Sequence, residues 1–198
     1  MTDTPDFAAR SANSAAGGWS GFYSDSDFDM ARLIRVATLY QAYLQAIDDY
    51  APGRRGLEIG TGTGWAAAYL SHEGYEIAAI DRDSGILAKA VRLNGKFGGT
   101  ARFLIMDLFH LGFGAERFDF AFHQGVLERF PEAEIRMAIR EQLRVAKRVI
   151  FSVPATRKRI SGTSACGPRR DGWPSSPRLR LSMHSASATP MTQPDSVA

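Results

Sequence analysis

The sequence is poor in cysteine and has no long hydrophobic run, and both features exclude classes of protein. Cys166 is the single cysteine among 198 residues, which excludes an internal disulfide framework and favours a reducing compartment. No apolar run approaches the roughly 20 residues of a membrane-spanning helix. The first 21 residues contain no apolar signal-peptide core. We therefore expect a cytoplasmic protein.

Metal-ligand patterns are also missing. The four histidines, at positions 72, 110, 123 and 184, have no ligand spacing with one another or with the cysteine. We predict no metal site.

The excess of positive charge is confined to the C-terminal segment. Residues 155–198 carry seven Arg or Lys and two Asp, a net charge of +5, and the whole-chain charge of +3 leaves −2 for residues 1–154. The pI of about 9.2 is therefore a property of this segment and does not describe the rest of the chain.

Short apolar runs alternate with helical patterns through the middle of the chain. An amphipathic helix is predicted over Asp27–Asp49, because apolar residues recur at three- and four-residue spacing until Pro52. Strands are predicted over 54–60, 75–81, 101–107, 117–125 and 148–154, and helices over 64–74, 84–98 with a break at Asn94–Gly95, and 131–147. Strand–helix alternation predicts an α/β fold: a doubly wound, Rossmann-like parallel sheet covered on both faces.

The two ends of the chain lack this pattern. Residues 1–21 are small and polar and are predicted to be a flexible leader. Residues 155–198 are rich in Ser, Pro and Arg without periodicity, and we expect a disordered basic tail. The folded domain is therefore assigned to residues 22–154, with five recognisable strands.

Three glycines at alternate positions follow the first predicted strand. Gly60, Gly62 and Gly64 lie in the stretch "LEIGTGTGW", where glycine would weaken a regular element. The turn after the first strand of an open parallel sheet is where ligands approach the backbone and meet the N-terminus of the next helix. Dinucleotides and S-adenosylmethionine are two ligand classes that bind at such a turn.

The glycine spacing separates these two ligand classes. A dinucleotide turn of the G-x-G-x-x-G type would place a small residue at position 65, which is Trp65 here. This disfavours a nicotinamide-dependent oxidoreductase. The order acid-x-Gly-x-Gly-x-Gly, beginning at Glu58, resembles the first motif of the class I S-adenosylmethionine-dependent methyltransferases, most closely their small-molecule "methyltransferase domain" branch.

Later positions carry the same resemblance, over roughly residues 20–154. Asp81 and Asp107 end the second and third predicted strands, where the family binds the ribose and the adenine. The stretch from Phe118 to Phe130, "FDFAFHQGVLERF", is similar to the family's fourth-strand motif, with Arg129 in place of the usual histidine. The resemblance implies S-adenosyl-L-methionine as cofactor, bound by Glu58, Gly60, Thr61, Gly62, Gly64, Asp81, Arg82, Asp107, Leu108 and Gln124.

Several of these residues also have a purely structural interpretation. The glycines suit a tight turn, Glu58 can orient loop amides, Asp81 can begin a helix and Asp107 can cap its loop. His123, after the fourth strand, is a weak candidate for a general base, and no other catalytic residue is assigned.

The segment after the fifth strand carries a further hypothesis. With G/C-rich codons, "RISGTSACG" from Arg159 encodes "DFGDERLR" when it is read from the third base of the arginine codon. A similar segment commonly follows this strand in related methyltransferases. We therefore hypothesise that the chain leaves its ancestral reading frame between about Pro154 and Arg159. The ancestral methyltransferase sequence would then be truncated at that point.

The resemblance implies a methyltransferase acting on a small or medium-sized molecule. Two alternatives remain: a catalytically impaired cofactor-binding protein, and a nucleic-acid methyltransferase that uses the basic tail. The second is disfavoured by "HQGV" after the fourth strand, where an Asn/Asp-Pro-Pro-aromatic run is expected. The oligomeric state is not predicted.

Overall fold

A computed structural model of the chain describes residues 28–154 and 179–185. Its centre is one six-stranded sheet in the order β3-β2-β1-β4-β5-β6. The strands are β1 Arg55–Ile59, β2 Glu76–Asp81, β3 Arg102–Ile105, β4 Phe120–Gln124, β5 Arg148–Pro154 and β6 Leu179–Ser185. The α-helices are α1 Met30–Leu39, α2 Gln41–Tyr50, α3 Trp65–His72, α4 Ser84–Lys96 and α5 Glu132–Val145, and a 3₁₀ helix spans Leu127–Arg129.

The strand order creates a switch point beside β1. Strands β1 to β5 are parallel, with β1 paired to β2 on one side and to β4 on the other. The chain therefore moves outward from β1 to β3 and returns across β1 to β4. A crevice at the carboxyl ends of β1 and β4 follows from this order, and it is the usual ligand site of open α/β sheets. The predicted α/β fold is confirmed.

A sixth strand corrects the prediction that nothing recognisable follows the fifth. Leu179–Ser185 pairs antiparallel with all of β5, from Arg148 opposite Ser185 to Pro154 opposite Leu179. An unpaired apolar edge on β5 would have been costly, and this pairing covers it. The "LRLSMHS" sequence alternates too weakly to predict a strand. The rest of the predicted tail, the leader and the proposed frame change at 154–159 lie outside the described residues, apart from Pro154 at their edge.

Two predicted helices differ in their bounds. The single helix expected over Asp27–Asp49 is two helices that meet at Tyr40, whose backbone leaves the helical region (ψ 18°) and whose ring stacks on Trp65 at 5.7 Å between ring centroids. The expected break at Asn94–Gly95 is absent: α4 continues without interruption to Lys96. The Asn94 side chain donates instead to the Gly99 carbonyl at 2.7 Å.

The sheet buries apolar side chains on both faces. One core lies under α1, α2 and α3 and includes Tyr43, Ile47, Leu70, Phe120 and Phe122. The other lies under α5 and is built from Leu57, Ile59, Ala121, Val145 and Val149. Alternate residues of β1 and β4 point to opposite cores, as the two-residue period of a strand requires. Burial on both faces holds the carboxyl ends of the strands rigidly in place.

Within residues 28–154 and 179–185, no helix is both long and apolar enough to cross a membrane. In the same part of the chain, no three His, Cys, Asp or Glu side chains are grouped closely enough to hold a metal ion.

Candidate cofactor site

A cleft opens at the carboxyl ends of β1, β2, β3 and β4, at the switch point of the sheet. Its walls include seven of the ten residues predicted to bind the cofactor: Gly60, Gly62, Asp81, Arg82, Asp107, Leu108 and Gln124. The other three, Glu58, Thr61 and Gly64, do not line it. The sequence motifs therefore meet in one place, although they are distributed over about 65 residues of the chain.

The glycine turn follows β1 and has left-handed backbone at all three glycines. Gly60, Gly62 and Gly64 have φ values of 68°, 53° and 76°, which glycine adopts without strain. The Gly60 amide donates to the Ile80 carbonyl at 2.8 Å, which fixes the turn against β2. A Cβ on Gly60 would lie 2.9 Å from a methyl of Val126 on the opposite wall.

Gly64 has a packing role. It precedes the first residue of α3, and a Cβ at this position would lie 2.8 Å from the Ala90 Cβ of α4. Gly64 therefore permits α3 and α4 to approach each other. Its absence from the walls of the cleft agrees with this role, which the sequence alone left open.

The Asp81 side chain faces the cleft, and a different aspartate, Asp83, caps the following helix. Asp83 is the N-cap of α4 and accepts from the amides of Gly85 and Ile86 at 2.8 and 3.1 Å. Asp81, at the end of β2, accepts from the Asp83 amide at 3.0 Å. Desolvation raises the pKa of Asp81, and hydrogen bonds from backbone amides, including that of Gly62, oppose the shift. The helix-cap interpretation of Asp81 is wrong.

Asp107 both caps its loop and lines the cleft. Its Oδ1 accepts from the Phe109 amide at 2.9 Å, which closes a turn after β3. The two interpretations of Asp107 in the sequence are therefore compatible, because the turn places the carboxylate and Leu108 on the wall of the cleft.

Glu58 lies behind the turn and is only 7% exposed. Its Oε2 accepts from the Thr61 hydroxyl at 2.9 Å. Desolvation, partly offset by this hydrogen bond, raises the pKa of Glu58 to about 8. Glu58 and the buried Thr61 thus connect β1 to the turn and make no contact with the open part of the cleft.

The wall of the cleft on the β4 side is formed by Gln124 and by residues that follow it. Gln124 ends β4, and its Nε2 is a buried donor with no hydrogen-bond partner in the described part of the chain. Arg129 and Phe130 follow on the same wall, and Phe130 meets Phe109 edge to face at 5.3 Å between ring centroids. Sequence reasoning noted Arg129 as a departure from the family pattern but did not assign it or Phe130 to the site.

The structure places the side chain of His123, the weak candidate for a general base, away from the cleft. Its side chain points into the core under α5, is 1% exposed, and stacks on Phe151 at 5.1 Å between ring centroids. Neither ring nitrogen makes a hydrogen bond of normal geometry, although the equally buried Gln142 side chain lies nearby. Desolvation lowers the pKa of His123 to about 3. A base at this position does not reach a substrate in the cleft.

Comparisons with known proteins agree with this arrangement. Residues 57–148 match the family model described as "Methyltransferase domain". A search of curated protein sequences returned no significant match.

Among solved structures, the chain is similar to the PH0226 protein of Pyrococcus horikoshii OT3. The TM-score is 0.57 at 20% identity, over 65% of this chain and 61% of that one. Magnesium protoporphyrin IX methyltransferase from Synechocystis PCC 6803, solved with bound S-adenosylmethionine, gives a TM-score of 0.55 at 21% identity, over 77% and 78% of the two chains. A S-adenosylmethionine-dependent methyltransferase from Aquifex aeolicus gives 0.52 at 21%, over 69% and 79%.

Because the sequence identities are low, these structural similarities concern the fold alone. The chain spans 61% of the length of the Pyrococcus protein. The family match runs from Leu57 in β1 to Arg148 at the start of β5, and this range contains every residue of the cleft described above. Residues 57–148 are therefore similar to the methyltransferase-domain family, and the described sheet has the fold of the solved methyltransferases.

Proposed function

We propose that this chain transfers the methyl group of S-adenosylmethionine to a small or medium-sized molecule. The observation that carries the proposal is the convergence of Asp81, Asp107 and the Gly60–Gly62 turn on one cleft at the switch point of the sheet. S-adenosylmethionine is the cofactor of the matched family, and the Synechocystis methyltransferase was solved with it bound.

The residues of the cleft suit the parts of this cofactor. The Asp81 carboxylate is an acceptor for two ribose hydroxyls, and the left-handed turn at Gly60 and Gly62 presents backbone without side chains. Asp107 and Leu108 are suited to the adenine amino group and its ring edge. The buried, unpartnered amide of Gln124 requires an acceptor that a polar ligand would supply.

S-adenosylmethionine supplies a methyl group on a positively charged sulfur, which leaves as a neutral thioether. Catalysis then depends mainly on aligning the acceptor atom with this methyl group. Phe109 and Phe130 form an apolar part of the wall of the cleft. A general base is needed only for an acceptor that holds its proton tightly, and none is assigned among the described residues.

The cellular location and the partners of the protein also belong to this proposal. We infer a cytoplasmic protein with a small-molecule methyl acceptor, and we expect neither nucleic acid nor membrane as a partner. The mildly acidic charge of residues 1–154 supports this, because a nucleic-acid partner would have to be held by the basic segment after residue 155.

Calorimetric titration of the full chain with S-adenosylmethionine tests cofactor binding. We expect Asp81→Asn to weaken the affinity at least tenfold, because the ribose loses a charged acceptor. Asp83→Asn is the matched control: it makes the same change two residues away, and Asn caps a helix as well as Asp does. A folded wild-type chain that does not bind, or an Asp81→Asn variant that binds normally, would contradict the proposal.

Methyl transfer itself needs a second measurement. The chain is incubated with methyl-labelled cofactor and a fractionated cell extract, and we expect label in the small-molecule fraction. Cofactor binding without any labelled product would instead support a catalytically impaired cofactor-binding protein. Label in nucleic acid would support a nucleic-acid methyltransferase.

A further inference from the structure

The two sides of the cleft differ in charge. On the side that follows β2 and β3, the charged lining residues are the carboxylates of Asp81 and Asp107 and the guanidinium of Arg82. On the side that follows β4, the lining residues include no carboxylate; the polar side chains there are Gln124 and Arg129. That side therefore presents one amide and one cation to a ligand.

The amide of Gln124 supplies the first part of the argument. Its Nε2 is buried and donates to nothing in the described part of the chain. A buried donor without a partner carries its full desolvation cost. An acceptor atom on a bound molecule would satisfy it.

The guanidinium of Arg129 supplies the second part. Its Nε donates to the Gly125 carbonyl at 3.0 Å, and this bond ties the side chain back across the turn that follows Gln124. A planar guanidinium binds carboxylates, phosphates and sulfates more specifically than an ammonium does, because its donors form a fork.

We propose that Gln124 and Arg129 form a subsite for a carboxylate-type anion on the β4 side of the cleft. The anion is either the methionine carboxylate of the cofactor or an acidic group of the methyl acceptor, so the subsite depends on the proposed function. In both cases the ligand places anionic oxygens between the amide and the guanidinium, with its apolar part against the Phe109–Phe130 pair.

The first arm of the test asks whether the cofactor supplies the anion. The full chain is titrated with S-adenosylhomocysteine and with 5′-methylthioadenosine, which lacks the amino-acid end. If the cofactor supplies it, Arg129→Gln weakens S-adenosylhomocysteine about tenfold and methylthioadenosine less than twofold, and Arg129→Lys restores part of the loss. Arg136→Gln, on the exposed surface of α5, is the control and changes neither affinity.

The second arm asks whether the acceptor supplies it. The chain is first saturated with S-adenosylhomocysteine and then titrated with benzoate, with neutral benzamide and with inorganic phosphate. Binding of benzoate or phosphate that is at least fivefold tighter than that of benzamide, and that is lost in Arg129→Gln and in Gln124→Leu, supports the acceptor as the source.

One result overturns the subsite: Arg129→Gln alters neither S-adenosylhomocysteine binding nor anion binding by the saturated chain. The wild-type titration separates this failure from that of the proposed function. If the folded wild-type chain binds neither nucleoside, the cofactor site itself is wrong. If it binds both and depends on Asp81, only the anion subsite is wrong.

Discussion

The Thr61 hydroxyl donates to the Glu58 carboxyl group across 2.9 Å, joining the end of β1 to the glycine turn that follows it. Both residues are buried, so this contact lies behind the cleft. The acid of the first motif thus shapes the loop instead of forming part of the open wall. Desolvation of this buried carboxyl group outweighs the hydrogen bonds from the Thr61 hydroxyl and the Ala67 amide, and it raises the pKa of Glu58 to about 8.

Glu58→Gln should therefore change how stability depends on pH. The pKa of Glu58 in the folded chain, about 8, lies above its ordinary value of 4.5. Between these values the unfolded chain releases a proton that the folded chain keeps, so the free energy of unfolding falls as pH rises. Gln does not titrate. In urea denaturation, we expect the free energy of unfolding of Glu58→Gln to rise relative to that of the wild type by up to about 4 kcal/mol between pH 5 and pH 8.

Thr61→Val is the control for this measurement. It removes the hydroxyl donor but keeps the carboxyl group, so its pH dependence should remain at least as steep as that of the wild type. Parallel curves for Glu58→Gln and the wild type would show that Glu58 is ionised in the folded chain.

Gly64 and Gly74 offer a comparison between backbone strain and close packing. Both have positive φ, 76° and 81°, but a Cβ on Gly64 would lie 2.8 Å from Ala90, whereas one on Gly74 meets nothing within 4 Å. Gly74→Ala should cost about 1 kcal/mol for strain alone. Gly64→Ala adds the clash between α3 and α4 and should cost about 1–3 kcal/mol more. Equal losses in urea denaturation would show that the helices separate easily at this point.

The sequence predicted the sheet because its strands are short, apolar and separated by helical patterns. It also predicted most of the cleft, since the carboxyl ends of parallel strands meet at one edge and the motifs mark those ends. Asp81 is an instructive case: a helix cap was a competing role until the structure showed Asp83 in that position.

The failures have local physical causes. Strand β6 depends on pairing with β5 and not on its own pattern, so tertiary context formed it. His123 lies near the carboxyl end of β4, but the alternation of the strand turns its side chain away from the side of Gln124 and into the core. Phe109 and Phe130 reach the cleft from loops, where periodicity gives no guidance.

Asp119 joins the starts of neighbouring strands at the opposite edge of the sheet. Its carboxylate binds the Arg55 guanidinium at 2.9 Å, the Arg55 amide at 3.1 Å and Lys147 Nζ at 3.4 Å. The hydrogen bonds from Arg55, followed by that from Lys147, lower the pKa of Asp119 to about 2. Because Arg55 is partly exposed, we expect Asp119→Asn to cost only about 1–2 kcal/mol at pH 7.

The pH dependence of this effect has a definite sign. A lowered pKa means that the stabilisation is complete above 3.8 and is lost as pH falls through 2. The difference between Asp119→Asn and the wild type should therefore shrink between pH 4 and pH 2. Glu132→Gln, which breaks the exposed ion pair with Arg136 on α5, is the control and should change stability by less than about 0.5 kcal/mol. An equal effect of both substitutions would argue against a special role for Asp119.

His123 should make the chain sensitive to acid. Its pKa of about 3 in the folded chain lies below its ordinary value of 6.5, so the unfolded chain takes up a proton that the folded chain rejects. Stability is therefore lost as pH falls from 6.5 toward 3. His123→Leu has a similar volume and cannot be protonated, so it should avoid up to about 3 kcal/mol of this loss between pH 7 and pH 4.5. Gln142→Leu alters the same buried pair but keeps the imidazole and should retain the acid sensitivity. Were His123→Leu and the wild type to lose stability in parallel, the imidazole would have to reach solvent or a proton acceptor, and its role as a base would need to be reconsidered.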